Sequence, residues 1–206
     1  MSVYVVTDRR LAPEHQAHYF DLVRQTRDLW AEAGGLLLNR IAISIDDPSR
    51  LLGIGRWRTV EALEAARHTT PPELLDQFRA IVLDGYGNWQ IYRPLREIED
   101  FTLRPHALRA DLLDVPPEDV ERFITASRSF QERIIHVPGI AAIRLLQSIT
   151  DPTRILGISE VADDSAHEVR RALLAEIGRA FPNVRSVSFA GRIGSQWELP
   201  TIPRRT

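Results

Sequence analysis

The first half of the chain alternates between two kinds of hydrophobic pattern. Short runs rich in β-branched and aromatic residues indicate strands, whereas apolar residues spaced three and four positions apart indicate helices. The clearest helical stripe begins after Pro13 and stops at Gly34 and Gly35, where glycine favours a helix end. Together these patterns predict strands at 3–8, 36–46, 50–58 and 89–93, and helices at 13–33, 60–68 and 72–83.

The second half of the chain repeats this order. The eight residues DPSRLLGI at 47–54 return as DPTRILGI at 151–158, an offset of 104 residues. Ten of the twenty positions from 35 to 54 are identical to their counterparts at that offset. A repeat of this length is too long for a solenoid unit and indicates a duplicated domain. We therefore predict two domains, residues 1–100 and 101–206, and only the segment near 69–77 lacks a counterpart in the second half.

Each half has the predicted order β-α-β-β-α-β, the ferredoxin-like arrangement of an antiparallel sheet with both helices on one face. In the second half, Ser165 and Glu168 form a capping box that predicts the start of a helix. The central hairpin is apolar on both faces, with Leu37 on one side and Leu36 and Leu38 on the other. Because the helices cover only one face, we expect the two sheets to pack face to face as an α+β barrel within one chain.

Composition narrows the classes of function. The 206 residues are 44% hydrophobic and 26% charged with a net charge of −2, so no strong field favours nucleic acid or an anionic membrane surface. No apolar run is long enough to span a bilayer, and the first residues do not resemble a signal peptide, so we expect a cytoplasmic protein. The chain has no cysteine, and all 26 of its positive residues are arginine. Thiol, Schiff-base and P-loop lysine chemistry are therefore excluded.

The third predicted strand carries the first candidate site. Alternation places Gly53, Gly55 and Trp57 on one face, where two glycines beside an indole leave a hollow that suits a planar aromatic ligand. The alternative is close packing of a helix over a glycine floor, with Trp57 as an ordinary core residue. Asn39, among apolar residues of the second strand, either orients a ligand carbonyl or phenol or is half solvated near the strand end.

Other polar residues give weaker signals. His68 follows a predicted helix and either faces the mouth of a pocket or lies on the surface. His15 and His18 lie three residues apart without an evident third ligand, so no metal site is predicted. Arg144 occupies the same repeat position as Arg40, which favours a structural role such as pairing with a carboxylate.

The order of elements and several of these residues resemble the antibiotic biosynthesis monooxygenase family of the dimeric α+β barrel superfamily. The resemblance rests on a long helix ending at Gly35, a hairpin running into Trp57 and a helix that carries His68. Members usually pair two chains, so this chain resembles a fused pair. One copy should therefore be sufficient for the barrel, with room for peripheral self-association.

The resemblance implies oxygenation of a phenolic or anthrone-like molecule without metal, flavin or haem. In that chemistry, polar side chains help to remove a phenolic proton, and the anion reacts directly with dioxygen in a dry pocket. Members with this activity place an asparagine four residues before the tryptophan and a tyrosine six residues after it. This chain has Gly53 and Leu63 there, and Ala66 stands near the position of a tryptophan needed by haem-degrading relatives. No catalytic residue is therefore assigned.

Two functions remain after this comparison. One is a cofactor-independent monooxygenase acting on a phenolic or polycyclic aromatic small molecule. The other is a non-catalytic α+β barrel that binds a small apolar ligand. In either case we expect the pocket in the first half, because three of the candidate site residues have no equivalent in the second half. The replacements are Asn39 by Ile143, Trp57 by Val161 and Gly55 by Ser159.

Overall fold

A computed structural model of the protein describes residues 1–84, 89–100, 102–163, 171 and 175–198. The chain divides into two units. The first comprises Met1–Ile43, Asp47–Gln90 and a last segment that begins at Gly194, and the second comprises Ser44–Asp46 and Ile91–Ile193. The domain division at residues 1–100 and 101–206 remains a prediction about the repeat.

The first unit places helices against a three-stranded antiparallel arrangement in which β3 lies between β1 and β2. A short 3₁₀ turn, Pro13–His15, precedes the first helix. In chain order the elements are β1 (Val3–Arg10), α1 (Gln16–Glu32), β2 (Leu36–Ser44), β3 (Arg50–Trp57), α2 (Val60–Thr69), α3 (Pro72–Ile81) and the start of β4 (Trp89–Glu99).

Local chemistry explains the limits of these helices. Pro13 opens the turn that precedes α1, where its missing N–H costs no hydrogen bond. Gly34 has a φ of +79°, a left-handed conformation that glycine adopts without strain, and it ends α1. Thr59 caps α2, because its Oγ1 accepts a hydrogen bond from the N–H of Ala62 at 3.1 Å. These predicted helix limits are confirmed.

The second unit contains an antiparallel sheet in the order β8-β5-β7-β6-β4. A 3₁₀ turn, Pro117–Asp119, precedes α4, and residues 175–180 are helical. The elements in chain order are β5 (Ala107–Asp114), α4 (Val120–Ile134), β6 (Ile140–Ser148), β7 (Arg154–Val161) and β8 (Arg185–Glu198).

In each unit, helices pack on a strand face through apolar side chains. The core of the first unit includes Tyr19 and Leu22 of α1, Ile41 and Leu51 of the hairpin and Phe78 of α3. The core of the second includes Phe123 and Ile124 of α4, Leu145 and Ile155 of its hairpin and Phe181.

The repeated eight-residue motif builds the same hairpin turn in both units. Asp47 Oδ1 accepts hydrogen bonds from the N–H of Ser49 at 3.0 Å and from its Oγ at 2.6 Å. Asp151 Oδ1 accepts the same two bonds from Thr153, at 3.0 and 2.5 Å. Such local bonds fix a tight turn before the third strand. The formation of this turn therefore explains why the eight-residue motif occurs in both halves of the sequence.

Two strands are longer than the sequence predicts. The strand predicted at 89–93 continues through Pro94 to Glu99. Proline cannot donate to a strand ladder, and β4 accommodates it with a register irregularity between Pro94 and Arg96. The sequence also predicts a last strand at 184–190, and in the structure this strand runs from Arg185 to Glu198.

The mixed α+β class and the antiparallel pairing of the strands are confirmed within the described residues. The predicted capping box at Ser165 and Glu168 and the predicted helix break at Gly85 lie outside the described residues. The tandem arrangement and the face-to-face packing of two sheets remain predictions. Among the described helices, none is long and apolar enough to cross a membrane.

Candidate functional site

Four of the five predicted site residues line one small cavity in the first unit. Asn39, Gly53, Gly55 and Trp57 surround it, and its volume is about 70 Å³. The strand register explains the grouping, because Asn39 lies opposite Gly55 in the β2–β3 pair. The predicted clustering of these residues is therefore observed, although their contact with a ligand remains a prediction.

The glycines of this cavity do not form an open floor. A Cβ added to Gly53 would lie 2.5 Å from Oγ1 of Thr7, its partner on β1. A Cβ added to Gly55 would lie 3.1 Å from Nε1 of Trp57, which shows that the indole leans over that glycine. Thr7 and Trp57 thus occupy much of the hollow that the sequence predicts.

Trp57 is packed as a core residue. Its side chain is 1% exposed, and its ring meets that of Trp30 edge to face with centroids 5.3 Å apart. Trp30 is itself fixed, because its Nε1 donates a hydrogen bond to Oγ1 of Thr70 at 2.9 Å. The close-packing interpretation therefore describes the position of Trp57, and the indole narrows the cavity instead of forming one wall of a roomy pocket.

Asn39 keeps one feature expected of a ligand-binding group. Its side chain is buried, and its Oδ1 has no hydrogen-bond partner among the described residues. A buried acceptor without a donor carries a desolvation cost, so the site favours a donor at this point. Asn39 is therefore buried and not half solvated at the end of its strand.

His68 does not reach this cavity. It lies on the exposed face of α2, whose buried residues are Leu63 and Ala66. A step of two residues turns a helix by roughly 200°, which carries the side chain at 68 away from that at 66. His68 instead adjoins a separate surface pocket of about 300 Å³, together with Trp30 and Arg79. His68 therefore does not line the same cavity as Trp57, and its contact with a ligand stays a prediction.

The second unit contains a cavity of about 250 Å³, which is larger than the cavity around Asn39. It lies between the helix α4 and one face of the sheet, and residues 177–184 complete its wall. Aromatic and aliphatic side chains supply most of the lining, including Phe123, Phe130, Phe181, Ile134 and Ile143. The expected pocket for a planar ring in the first half stays a prediction, since the first unit contains the cavity of about 70 Å³ and the surface pocket of about 300 Å³.

Side-chain size explains why this cavity is larger than the equivalent one beside Gly53. Gly157 is the counterpart of Gly53, and a Cβ added there would meet no atom within 4 Å. The two indoles that fill the first unit are replaced, since Val161 stands for Trp57 and Ile134 for Trp30. The second half also lacks most of the segment that contributes α3 to the first unit. The smaller side chains at these strand and helix positions and the shorter segment together leave the space that forms the cavity.

Polar groups interrupt the apolar lining at a few points. Asp111 lies opposite both Gly157 and Ser188 in the strand register, and the Ser188 Oγ donates a hydrogen bond to Asp111 Oδ1 at 2.6 Å. Gln131 of α4 and Ser159 of β7 are each 3% exposed. Gln131 Oε1 and Ser159 Oγ have no hydrogen-bond partner among the described residues. An apolar cavity with a few convergent polar groups is typical of a small-molecule site.

Arg144 of β6 is among the residues along this cavity, although its guanidinium is bonded elsewhere. It alternates with Ile143 and Leu145 along β6, so its side chain points to the opposite sheet face from the cavity. Its guanidinium donates to Glu160 Oε1 at 2.7 Å and also to Glu99. The predicted pairing of this arginine with a carboxylate is observed, and its structural role stays a prediction.

Neither cavity has the ligands of a metal centre. Within the described ranges, no three histidine, cysteine, aspartate or glutamate side chains lie close enough together to hold an ion. The side chains that line the second cavity can accept and donate hydrogen bonds and exclude water.

Comparisons with known proteins match the fold and not the sequence. No family model matches the chain, and no curated protein matches it in sequence. A proposed monooxygenase from Lactobacillus acidophilus has a TM-score of 0.77 at 13% identity, over 96% of each chain. A proposed monooxygenase from Fusobacterium nucleatum has a TM-score of 0.77 at 11% identity, over 96% of this chain and 94% of that one.

A third similar structure is an anthrone oxidase-like protein. Its TM-score is 0.68 at 16% identity, over 96% of this chain and 93% of that one. Likeness at such low identity establishes the fold alone. The chain thus has the fold of these proteins, and its function has to be argued from its own cavity.

Proposed function

We propose that the protein is a cofactor-independent monooxygenase that oxygenates a hydroxylated aromatic small molecule in the cavity of the second unit. The observation that carries the proposal is this cavity of about 250 Å³, with aromatic walls, buried polar groups and an open floor at Gly157. The fold neighbours add support, because two are proposed monooxygenases and one is an anthrone oxidase-like protein.

The cavity volume limits the size of the substrate. An engineered protein cavity of about 150 Å³ binds benzene, and ordinary ligand pockets begin at roughly 300 Å³. A cavity of about 250 Å³ therefore suits one ring or two fused rings better than a larger polycycle. A bicyclic phenol such as 1-naphthol is the appropriate first probe.

The proposed reaction is balanced without a reducing cofactor. 1-Naphthol gains one atom of dioxygen and becomes 1,4-naphthoquinone. The second oxygen atom leaves as water, with the hydroxyl hydrogen and one ring hydrogen of the substrate. All four electrons that reduce dioxygen come from the substrate. The protein's part is to bind the ring, exclude water and assist removal of the hydroxyl proton.

Oxygen consumption with purified protein tests the proposal. We expect uptake of one dioxygen for each naphthoquinone formed, and no stimulation by added flavin or haem. Gly157→Phe fills the open floor and should abolish uptake, whereas Val187→Thr, on the exposed face of the same sheet, should retain it. Circular dichroism checks that both variants fold. Equal uptake by the folded Gly157→Phe variant and the wild type would contradict the assignment.

The small cavity of the first unit is the second candidate site. The unpartnered Asn39 Oδ1 favours it, and Asn39, Gly53, Gly55 and Trp57 would contact a ligand there, with His68 outside. A planar ring fits only if the indole of Trp57 moves away from Gly55. Asn39→Leu, which fills this cavity, should then abolish uptake while Gly157→Phe leaves it intact.

We further propose that the chain arose by tandem duplication. The hairpin registers support this origin, because Asn39 opposite Gly55 corresponds to Ile143 opposite Ser159 at the sequence offset of 104. The same offset relates the aspartates of the two turns. Duplication explains how one copy keeps a filled core while the other acquires a cavity.

A further inference from the structure

Two buried polar groups in the cavity of the second unit have unused hydrogen-bonding capacity. Gln131 of α4 and Ser159 of β7 both line this cavity, and each residue is 3% exposed. Neither Gln131 Oε1 nor Ser159 Oγ has a hydrogen-bond partner among the described residues. A buried polar atom without a partner carries a desolvation cost, which a ligand with the matching polar group removes.

The two groups lie at the same end of the cavity, on opposite walls. Ser159 is opposite Ile143 in the β6–β7 register, and Ile143 belongs to the same core cluster as Ile134. Ile134 follows Gln131 by three residues, which is about one turn of α4. The helix therefore presents Gln131, and the sheet presents Ser159, to one part of the cavity. A ligand at this end can contact both side chains.

The two groups require different partners on a ligand. A carboxamide oxygen can only accept, so Gln131 Oε1 needs an N–H or O–H donor. The hydroxyl of Ser159 can donate, so it suits a carbonyl oxygen. Phe123, Phe130 and Phe181 supply flat apolar surfaces in the same cavity. The lining therefore matches a flat molecule that carries a hydrogen-bond donor beside an acceptor.

We infer that the cavity binds an aromatic lactam, whose N–H donates to Gln131 Oε1 and whose carbonyl oxygen accepts from Ser159 Oγ. The two bonds then involve two adjacent ligand atoms, which suits protein groups on opposite walls. A phenolic hydroxyl would have to serve both groups from one oxygen, which is a weak acceptor because its lone pairs are shared with the ring. The inference rests on the proposed function, because it names the class of hydroxylated aromatic molecule that the same cavity takes.

Calorimetric titration of the purified protein with 2-quinolinone and with coumarin tests this inference. These bicyclic probes have the same shape and the same carbonyl group, but coumarin has a ring oxygen where 2-quinolinone has its N–H. We expect 2-quinolinone to bind at least about tenfold more tightly, because coumarin leaves Gln131 Oε1 without a donor and places an acceptor against it. Titration without oxygen keeps the measurement independent of turnover.

Two variants assign the preference to its residues. Gln131→Leu should reduce the preference for 2-quinolinone to about threefold or less, and it should fold because it removes an unpartnered buried amide. Ser159→Ala should weaken both probes by about threefold or more and leave their ratio unchanged, because both probes keep the carbonyl group. Thr125→Ala, on the exposed face of α4, is the control and should change neither affinity.

Three results overturn the inference: equal binding of 2-quinolinone and coumarin, binding of neither probe, or a preference that survives in Gln131→Leu. Tighter binding of 2-naphthol than of 2-quinolinone also overturns it, in favour of a ligand hydroxyl group. A preference for 2-quinolinone without oxygen uptake in the presence of 1-naphthol upholds the inference and rejects the proposed monooxygenase activity. Oxygen uptake with 1-naphthol, without any preference between 2-quinolinone and coumarin, does the reverse.

Discussion

Gly53 and Gly157 occupy equivalent strand positions in different surroundings. Gly53 has Thr7 pressed against it, whereas Gly157 faces open space. Alanine at Gly53 should therefore destabilise the protein by about 1–3 kcal/mol through overpacking. Alanine at Gly157 should be neutral or stabilise by up to about 1 kcal/mol, because it restricts the unfolded chain without strain. Urea unfolding of the two single variants measures the contrast.

The double replacement Gly53→Ala with Thr7→Ala provides the control. Removing the Thr7 hydroxyl should recover most of the stability lost in Gly53→Ala, since that oxygen is the nearest obstacle at 2.5 Å. Equal effects of alanine at Gly53 and Gly157 would show that the two floors do not differ in solution.

At the same scale, the candidate site illustrates why single residues misled the prediction. Trp57 is a distinctive residue that the sequence allows to be either a pocket wall or a core residue, and its indole folds back over Gly55 and fills the space. The informative signal was a loss, namely Val161 and Ile134 in place of two tryptophans. Smaller residues at these positions leave a cavity only if the surrounding side chains do not move in to fill the space. Whether they do can be seen only in the packed structure.

At the scale of elements, the two hairpin turns make stability depend on acid pH. Hydrogen bonds from Ser49 and Thr153 lower the pKa of Asp47 and of Asp151 below the ordinary value, and nearby arginines add to the effect. A depressed pKa contributes stability above the unfolded-state value, near 3.8, and the contribution is lost as the pH falls. We therefore expect the double variant Asp47→Asn with Asp151→Asn to be less stable than wild type at neutral pH.

This difference should shrink as the pH falls from about 5 to about 3, because wild type then loses the charges that the variant lacks. Urea unfolding midpoints at several pH values measure this difference in stability. Asp21→Asn is the control, because Asp21 is exposed and, among the described residues, its carboxylate pairs only with Arg24. A difference between the double variant and wild type that stays constant over this range would contradict the argument.

Periodicity predicted most elements because a helix stripe or an alternating strand is a local property of the sequence. The buried residues Tyr19, Leu22, Val23 and Thr26 of α1 all belong to the predicted stripe. The prediction failed at β4, where the strand predicted to end at Arg93 continues past a local irregularity at Pro94. The sequence did not predict the cavity of the second unit, since its volume depends together on α4, on β7 and on the shorter segment that corresponds to α3.

At the scale of the whole molecule, the chain should be stable as a single copy. Large hydrophobic side chains are exposed at only six places among the described residues: Met1, Leu29, Ile45, Leu83, Ile149 and Val187. Stable dimers usually bury a contiguous apolar patch, and isolated exposed residues do not provide one. Light scattering in dilute buffer should therefore give a mass near 23.4 kDa.

The same prediction has a second consequence for unfolding. A monomer unfolds at a denaturant concentration that does not depend on protein concentration, whereas an obligate dimer becomes more stable as its concentration rises. We expect coincident urea curves over a hundredfold range of protein concentration. A midpoint that rises with concentration, together with a mass near twice that of the chain, would show that the exposed side chains contribute to an interface and that one copy is not sufficient.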